Sequence, residues 1–229
     1  MFEFKQFTVY DSNSALKVGT DGVLLGAWAD VGSARRVADI GAGCGLIALM
    51  IAQRFASAQI DAVEIDAASC GDASRNFASS PWHRRLNVVC RDALTLSARY
   101  DAIVSNPPFF NENLRSPSER RASARHEGSL SPASLIGLAS RLLSVDGTLS
   151  FIAPSARDSE IDFLLASERL YPRRRLHVVT APGKSAVRTL HEASPIDGPL
   201  ENATIILRDA DGLPSVDFKN LTSEFYLNF

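Results

Sequence analysis

One short run constrains this 229-residue chain more than any other feature. Arg36-Val-Ala-Asp-Ile40 reads as a strand, Gly41-Ala-Gly43-Cys-Gly45 as a turn, and Leu46 to Phe55 as a helix. Alternate glycines permit a tight turn and let a ligand approach the backbone, and the helix that follows points free N–H groups at that ligand. Glu64 closes the next strand 23 residues past Gly41, near the roughly 20 at which an acid grips ribose hydroxyls in nucleotide-binding βαβ units. The glycine spacing is G-x-G-x-G, not the G-x-G-x-x-G of dinucleotide binders. A nucleoside-containing ligand is expected.

The same alternation continues along the chain. Strands are expected at Ile60–Ile65, Asn87–Arg91, Tyr100–Ser105, Thr148–Ala153, Arg174–Thr180 and Ala203–Leu207. Helices are expected at Ala67–Phe77, Ser131–Leu143 and Arg157–Leu170, the second with Ser131 as cap and Pro132 at its first position. Short apolar strands separated by helices predict a doubly wound α/β fold, a seven-stranded, mostly parallel sheet covered on both faces. The least structured stretches are Asn111–Gly128 and Ala181–Leu200.

Composition excludes several classes. Hydrophobic residues are 45% and charged residues 22%, ordinary for a globular chain. No run approaches 18 apolar residues and no secretory signal opens the chain, so neither a membrane span nor export is expected. Cys44, Cys70 and Cys90 form no C-x-x-C pair, which argues against a disulfide framework or zinc site and for a reducing, cytoplasmic setting. His83, His177 and His191 lack metal-ligand spacing, and no metal is expected. The formal charge of −2 does not by itself indicate nucleic acid. Its distribution says more. Arg115, Arg120, Arg121 and Arg125 stand against only Glu119, and Arg169, Arg173, Arg174 and Arg175 form a second cluster. Solvated faces are the bland reading; phosphate contacts, which arginine's planar fork suits, are the functional one.

The fourth strand ends in Asn106-Pro107-Pro108-Phe109. Two prolines make a stiff exit from a sheet, but the position is the carboxyl edge, where ligands gather. An exocyclic amine is a poor nucleophile because its lone pair is delocalised into the ring. Two acceptors on its N–H groups, the Asn106 side-chain oxygen and the Pro107 carbonyl, draw the nitrogen toward tetrahedral geometry. Pro108 keeps that carbonyl fixed, and Phe109 offers a face on which a base can stack.

Taken together, the preceding Asp39, the compact glycine turn and Glu64 resemble the class I methyltransferases, which implies S-adenosylmethionine as cofactor. In that class an acid placed like Asp92 accepts from the adenine amino group; a strand-end turn aspartate is the alternative. The Asn-Pro-Pro-Phe motif resembles amino-group methyltransferases acting on planar amides or bases. Further segments narrow it: Phe4-Lys-Gln-Phe7, Leu16 to Trp28, Asp61-Ala-Val-Glu64, Ser80-Pro-Trp82 and Phe225-Tyr-Leu227 look like the bacterial tRNA1(Val) (adenine-37-N6)-methyltransferase family. The resemblance implies methylation of the N6 of adenosine 37 in the anticodon loop of a valine tRNA. It also implies cofactor contacts from Thr20, Asp39, Gly41, Gly43, Gly45, Glu64, Asp92 and Asn106. In such enzymes the segment around Thr20 and Asp21 lies over the cofactor's methionine end; a plain helix cap starting a helix at about Val23 is the competing reading. Trp28 and Trp82 read as packing residues. A monomer is expected, with residues 1–30 as a segment whose short helix packs on a methyltransferase domain of residues 31–229.

Three alternatives stay open. A glutamine N5-methyltransferase acting on a release factor would use the same acceptors but carries an N-terminal helical domain, for which about 30 residues leave no room. Another base amino-group methyltransferase, on rRNA or DNA, shares the motif. A module that binds S-adenosylmethionine without chemistry would be expected to have lost one of the two turns.

Overall fold

A computed structural model describes residues 1–14, 17–107 and 130–228. Pro108, Phe109, Arg115, Arg120, Arg121, Arg125 and His126 lie outside the described residues. The elements, in chain order, are β1 (Phe2–Glu3), β2 (Thr8–Val9), α1 (Thr20–Trp28), β3 (Arg36–Ile40), α2 (Leu46–Arg54), β4 (Gln59–Glu64), α3 (Ala67–Ala78), β5 (Leu86–Cys90) and β6 (Tyr100–Ser105). After the gap come α4 (Pro132–Leu142), β7 (Leu143–Pro154), α5 (Asp158–Ser167), β8 (Tyr171–Val179), β9 (Ala186–Ser194), β10 (Glu201–Ile206) and α6 (Val216–Thr222).

Alternation along the strands builds two apolar layers. On β3, Val37 joins the layer under α1, α2 and α3, and its neighbours Ala38 and Ile40 face the layer under α4 and α5. The sheet is doubly covered, as expected, but it has eight strands rather than seven, in the order β10-β8-β9-β7-β6-β3-β4-β5. All neighbours run parallel except β9, which is antiparallel to both β7 and β8. β9 lies inside Ala181–Leu200, one of the two stretches expected to be least structured. The reason is its polar content. Thr189, His191 and Glu192 are buried, so the usual apolar signal is missing. Each meets a residue distant in sequence: Thr189 Oγ1 donates to Asp158 at 3.0 Å, the His191 ring stacks on Phe151 at 5.0 Å, and Glu192 accepts from Arg174 at 2.9 Å.

Three further points differ from the sequence reading. The Cys70 and Cys90 sulfurs form a disulfide, with Cα atoms 5.9 Å apart; their separation in sequence is 20, but α3 folds back onto the end of β5. Helix α1 begins at Thr20, its N-cap Gly19 makes no side-chain cap bond, and Asp21 pairs with Arg188 instead of capping. Two members of the second arginine cluster are used within the fold. Arg174 stacks over Trp28 at 4.5 Å and pairs with Glu192, and Arg175 pairs with Asp162. By contrast α4 is capped as expected, with Ser131 accepting from the Ser134 N–H at 3.0 Å.

The N-terminal residues are held by polar groups of α3. Asp72 accepts from the Asn13 and Ser14 N–H groups at 2.8 and 2.9 Å, and Asn76 accepts from Tyr10 at 2.8 Å. The Asn76 amide also donates to the Cys44 carbonyl at 2.9 Å, so one buried side chain ties the N-terminal segment to the glycine turn. Phe4, Phe7, Val23 and Leu25 share a single apolar cluster with α2. Among the described residues no helix is long and apolar enough to cross a membrane.

Candidate active site

The glycine turn lies at the carboxyl edge between β3 and α2. Gly41, Gly43 and Gly45 have φ of +70°, +55° and +82°, in the left-handed region that a side chain resists. They differ in their surroundings. A Cβ on Gly41 or Gly43 would meet nothing within 4 Å, whereas one on Gly45 would come within 2.5 Å of the Phe77 ring. The first two therefore leave a cradle open to a ligand, while Gly45 lets α2 sit against α3.

Two carboxylates brace this turn. Asp39, fully buried on β3, accepts from the Ala48 N–H at 3.0 Å with one oxygen. Its other oxygen is buried and, among the described residues, has no hydrogen-bond partner. Burial pushes the Asp39 carboxyl up to about 7, against the Ala48 bond and with help from the Glu64 charge. Glu64 accepts from the Gly43 N–H at 2.9 Å with one oxygen and from the Ile65 and Asp66 N–H groups at 2.8 and 2.9 Å with the other. An ionised carboxylate offers about four acceptor positions, so Glu64 keeps capacity for a hydroxyl donor.

A cleft of about 410 Å³ opens beside the turn. It brings together Thr20 and Gly22 at the start of α1, Gly41 and Gly43 of the turn, and Asn106 after β6. The Ser105 hydroxyl donates to the Ile40 carbonyl at 2.7 Å and so fixes the end of β6 beside the turn. Gly22 permits the close approach of α1: a Cβ there would lie 3.1 Å from Leu46 and 3.9 Å from the Asn106 amide nitrogen. Asn106 is half-buried and Pro107 is buried. The cleft thus reaches from the glycine turn to Asn106.

The other expected residues are placed less directly. Gly45 is a packing residue. Glu64 holds the turn through the Gly43 N–H, and Asp39 holds the start of α2 through the Ala48 N–H. Asp92 follows β5 and caps a short helical turn, accepting from the Leu94 N–H at 2.8 Å with one oxygen. Sequence reasoning missed Asn76, Lys17 and Arg188. Lys17 lines the cleft. Arg188, on β9, donates to Asp21 at 2.8 Å, and Asp21 lines the cleft too. Pro182-Gly183 between two β-rich runs is the hairpin signal that would have placed Arg188 there.

The residues fit an S-adenosyl compound on three observations: an open glycine cradle, a buried carboxylate oxygen without a partner, and an acid at the end of β4 with acceptor capacity left. Among the described residues no group of histidine, cysteine and carboxylate side chains has metal-site geometry.

A family model described as "Methyltransferase small domain" matches residues 8–160. A protein of Bacteroides fragilis strain YCH46, named tRNA1(Val) (adenine(37)-N6)-methyltransferase, is 43% identical over 231 residues, covering 99% of this chain and 97% of its own. Its namesake in Aeromonas hydrophila is 45% identical over 230 residues with the same coverage. Among solved structures, an Agrobacterium tumefaciens protein described as "a predicted O-methyltransferase" superposes with a TM-score of 0.72 at 21% identity, covering 90% of this chain and 96% of that one. The ribosomal protein L11 methylase of Lactobacillus delbrueckii gives 0.57 at 19%, with 80% and 82% covered. These two likenesses speak to the fold. The full-length relatives and the matched domain settle the kinship: this chain belongs to the tRNA1(Val) (adenine(37)-N6)-methyltransferase family, within the small-domain methyltransferases.

Proposed function

We propose that this protein transfers a methyl group from S-adenosylmethionine to the exocyclic N6 of adenosine 37 in tRNA1(Val). The observation that carries the reading is Asn106 on the wall of the cleft that the glycine turn opens. When bound, the cofactor supplies an electrophilic methyl group. Thr20, Gly41 and Gly43 would line its pocket, Glu64 would accept from its ribose, and the free oxygen of Asp92 from its adenine. Asp39 holds the start of α2 through Ala48, and its second oxygen offers an acceptor behind the turn.

Asn106 then acts on the substrate. Its amide oxygen accepts from one N–H of the adenine amine and the Pro107 carbonyl from the other, which keeps the lone pair on nitrogen and stabilises the positive charge that develops there. Asn106 does not titrate and takes no proton; the methylated amine is acidic enough to release its own to water. Phe109 supplies a stacking face, with Pro108 stiffening the corner. An anticodon-loop base is already unpaired, so presenting it costs little. We assign Arg115, Arg120, Arg121 and Arg125 to phosphate contacts near the target base, which makes binding strongly dependent on salt. Residues 1–30 serve in this scheme as a segment covering a catalytic domain of residues 31–229, in a monomeric protein.

Purified protein, labelled S-adenosylmethionine and tRNA from a strain lacking the modification should place label on N6-methyladenosine at position 37. Asn106→Ala should lower transfer by about 100-fold or more, with S-adenosylhomocysteine binding within about threefold of wild type. Transfer at the wild-type rate by that variant overturns the mechanism, and label on a release-factor glutamine instead of tRNA overturns the substrate.

A further inference from the structure

The sheet edge beside the glycine turn carries a sulfur pair that methyl transfer does not use. Cys70 lies in the second turn of α3 and Cys90 closes β5. Their Cα separation of 5.9 Å is what a disulfide spans without backbone movement. The register sets the pair against the proposed ribose acid. Glu64 lies opposite Cys90 on the adjoining strand. The Glu64 carbonyl accepts from the Arg91 N–H at 2.9 Å and has the Cys70 Sγ 3.5 Å away. Cys70 is 6% exposed, whereas Cys90 is at the surface. β5 is the last strand of the sheet, paired on one side only, and it leads directly into Asp92. Among the described residues, the bridge is the one disulfide, and it ties this edge to the helix behind it.

We propose that Cys90 and Cys70 are a thiol–disulfide exchange site for a low-molecular-weight disulfide such as oxidised glutathione, and that closing the bridge holds the Glu64–Asp92 edge in its cofactor-binding form. The exposed Cys90 thiolate attacks a glutathione sulfur, forming a mixed disulfide and expelling one glutathione thiolate, which takes up the proton. The Cys70 thiolate then attacks the Cys90 sulfur and expels the second glutathione. Two cysteines are oxidised and one glutathione disulfide is reduced to two thiols. Without the bridge, the end of β5 is freer, and cofactor binding must order Asp92 as well as occupy its site. Asn106 follows β6, with β3 and β4 between that strand and β5, so the bridge acts on cofactor affinity and leaves the acceptor corner alone.

This inference rests on the reading of Glu64 and Asp92 as cofactor residues, and not on tRNA as substrate. The test equilibrates the full chain in glutathione buffers from fully reduced to fully oxidised. Intact mass after alkylation of the unfolded chain counts thiols, and calorimetry measures S-adenosylhomocysteine binding. Three thiols are expected at the reduced end and one at the oxidised end. The survivor is Cys44, whose thiol burial pushes up to about 11. Affinity should be about five- to tenfold higher when the bridge is closed, and Cys90→Ser should show the lower affinity at every ratio. Cys70→Ser should keep a single glutathione on Cys90. Failure of the bridge to form at any ratio, or equal affinity with the bridge verified by mass, overturns the proposal. Absence of cofactor binding in both states removes the cofactor reading and this proposal together. A redox-dependent affinity without methylation of tRNA supports the proposal and removes only the substrate assignment.

Discussion

Two regions meet near the cleft and are built in opposite ways. The turn between β3 and α2 is local. Its glycines, its capping carboxylate Asp39 and the N–H that Asp39 holds all fall within ten residues, and one acid from the next strand completes it. The β8–β9 hairpin is assembled from afar. Arg188 reaches Asp21 across 167 residues, and Thr189, His191 and Glu192 become acceptable interior residues only when β7, β8 and α5 surround them. A turn built on left-handed backbone angles is written contiguously, because those angles belong to neighbouring residues. A strand inside the sheet can carry polar residues where groups distant in sequence pair with them or pack against them.

The sharpest way to break this comparison is inside the turn. Gly45→Ala sets a Cβ against Phe77 and forces an alanine to φ +82°; it should destabilise the protein by about 2–4 kcal/mol in denaturant unfolding. Gly41→Ala carries only the backbone penalty, about 1–2 kcal/mol, but fills the cradle, so its larger effect should be on S-adenosylhomocysteine binding. Similar stability losses for the two, with cofactor affinity equally affected, would show that the turn has one role and not two.

Next in size is the buried acid. Asp39 has its carboxyl raised to about 7, against about 3.9 in an unfolded chain. Between those values the unfolded state gives up its proton first. The stabilising contribution is complete below about pH 4 and lost by about pH 7. Asp39→Asn removes this dependence, so the melting temperature of the variant relative to wild type should climb as pH rises from 5 to 7.5. A constant difference across that range would show that Asp39 is ionised throughout.

The smallest effect is expected at the hairpin. The Arg188–Asp21 pair is partly exposed on both sides, and such pairs contribute about 0–1 kcal/mol. Arg188→Ala should shift stability within that range and cofactor affinity by less than about threefold. A larger loss of affinity, with stability unchanged, would move β9 from sheet closure into the binding machinery.

Much of the architecture is legible in the residues alone. The β3 strand, the turn, Glu64, the Asn106 corner and the Ser131 cap of α4 all follow from spacing and residue type, because each depends on neighbours within a few positions or on the period of a strand or helix. The sequence by itself therefore determined the fold class and the place of the cleft between the glycine turn and Asn106. Only the tertiary structure decided the rest. It separated Gly45 as a packing glycine from Gly41 and Gly43, because that distinction lies in where Phe77 stands. It made an eighth strand from a stretch without apolar alternation and set Arg174 on Glu192 and Trp28 and Arg175 on Asp162. It also joined Cys70 to Cys90, since bond formation depends on how α3 returns across β5 and not on their separation of 20 in sequence.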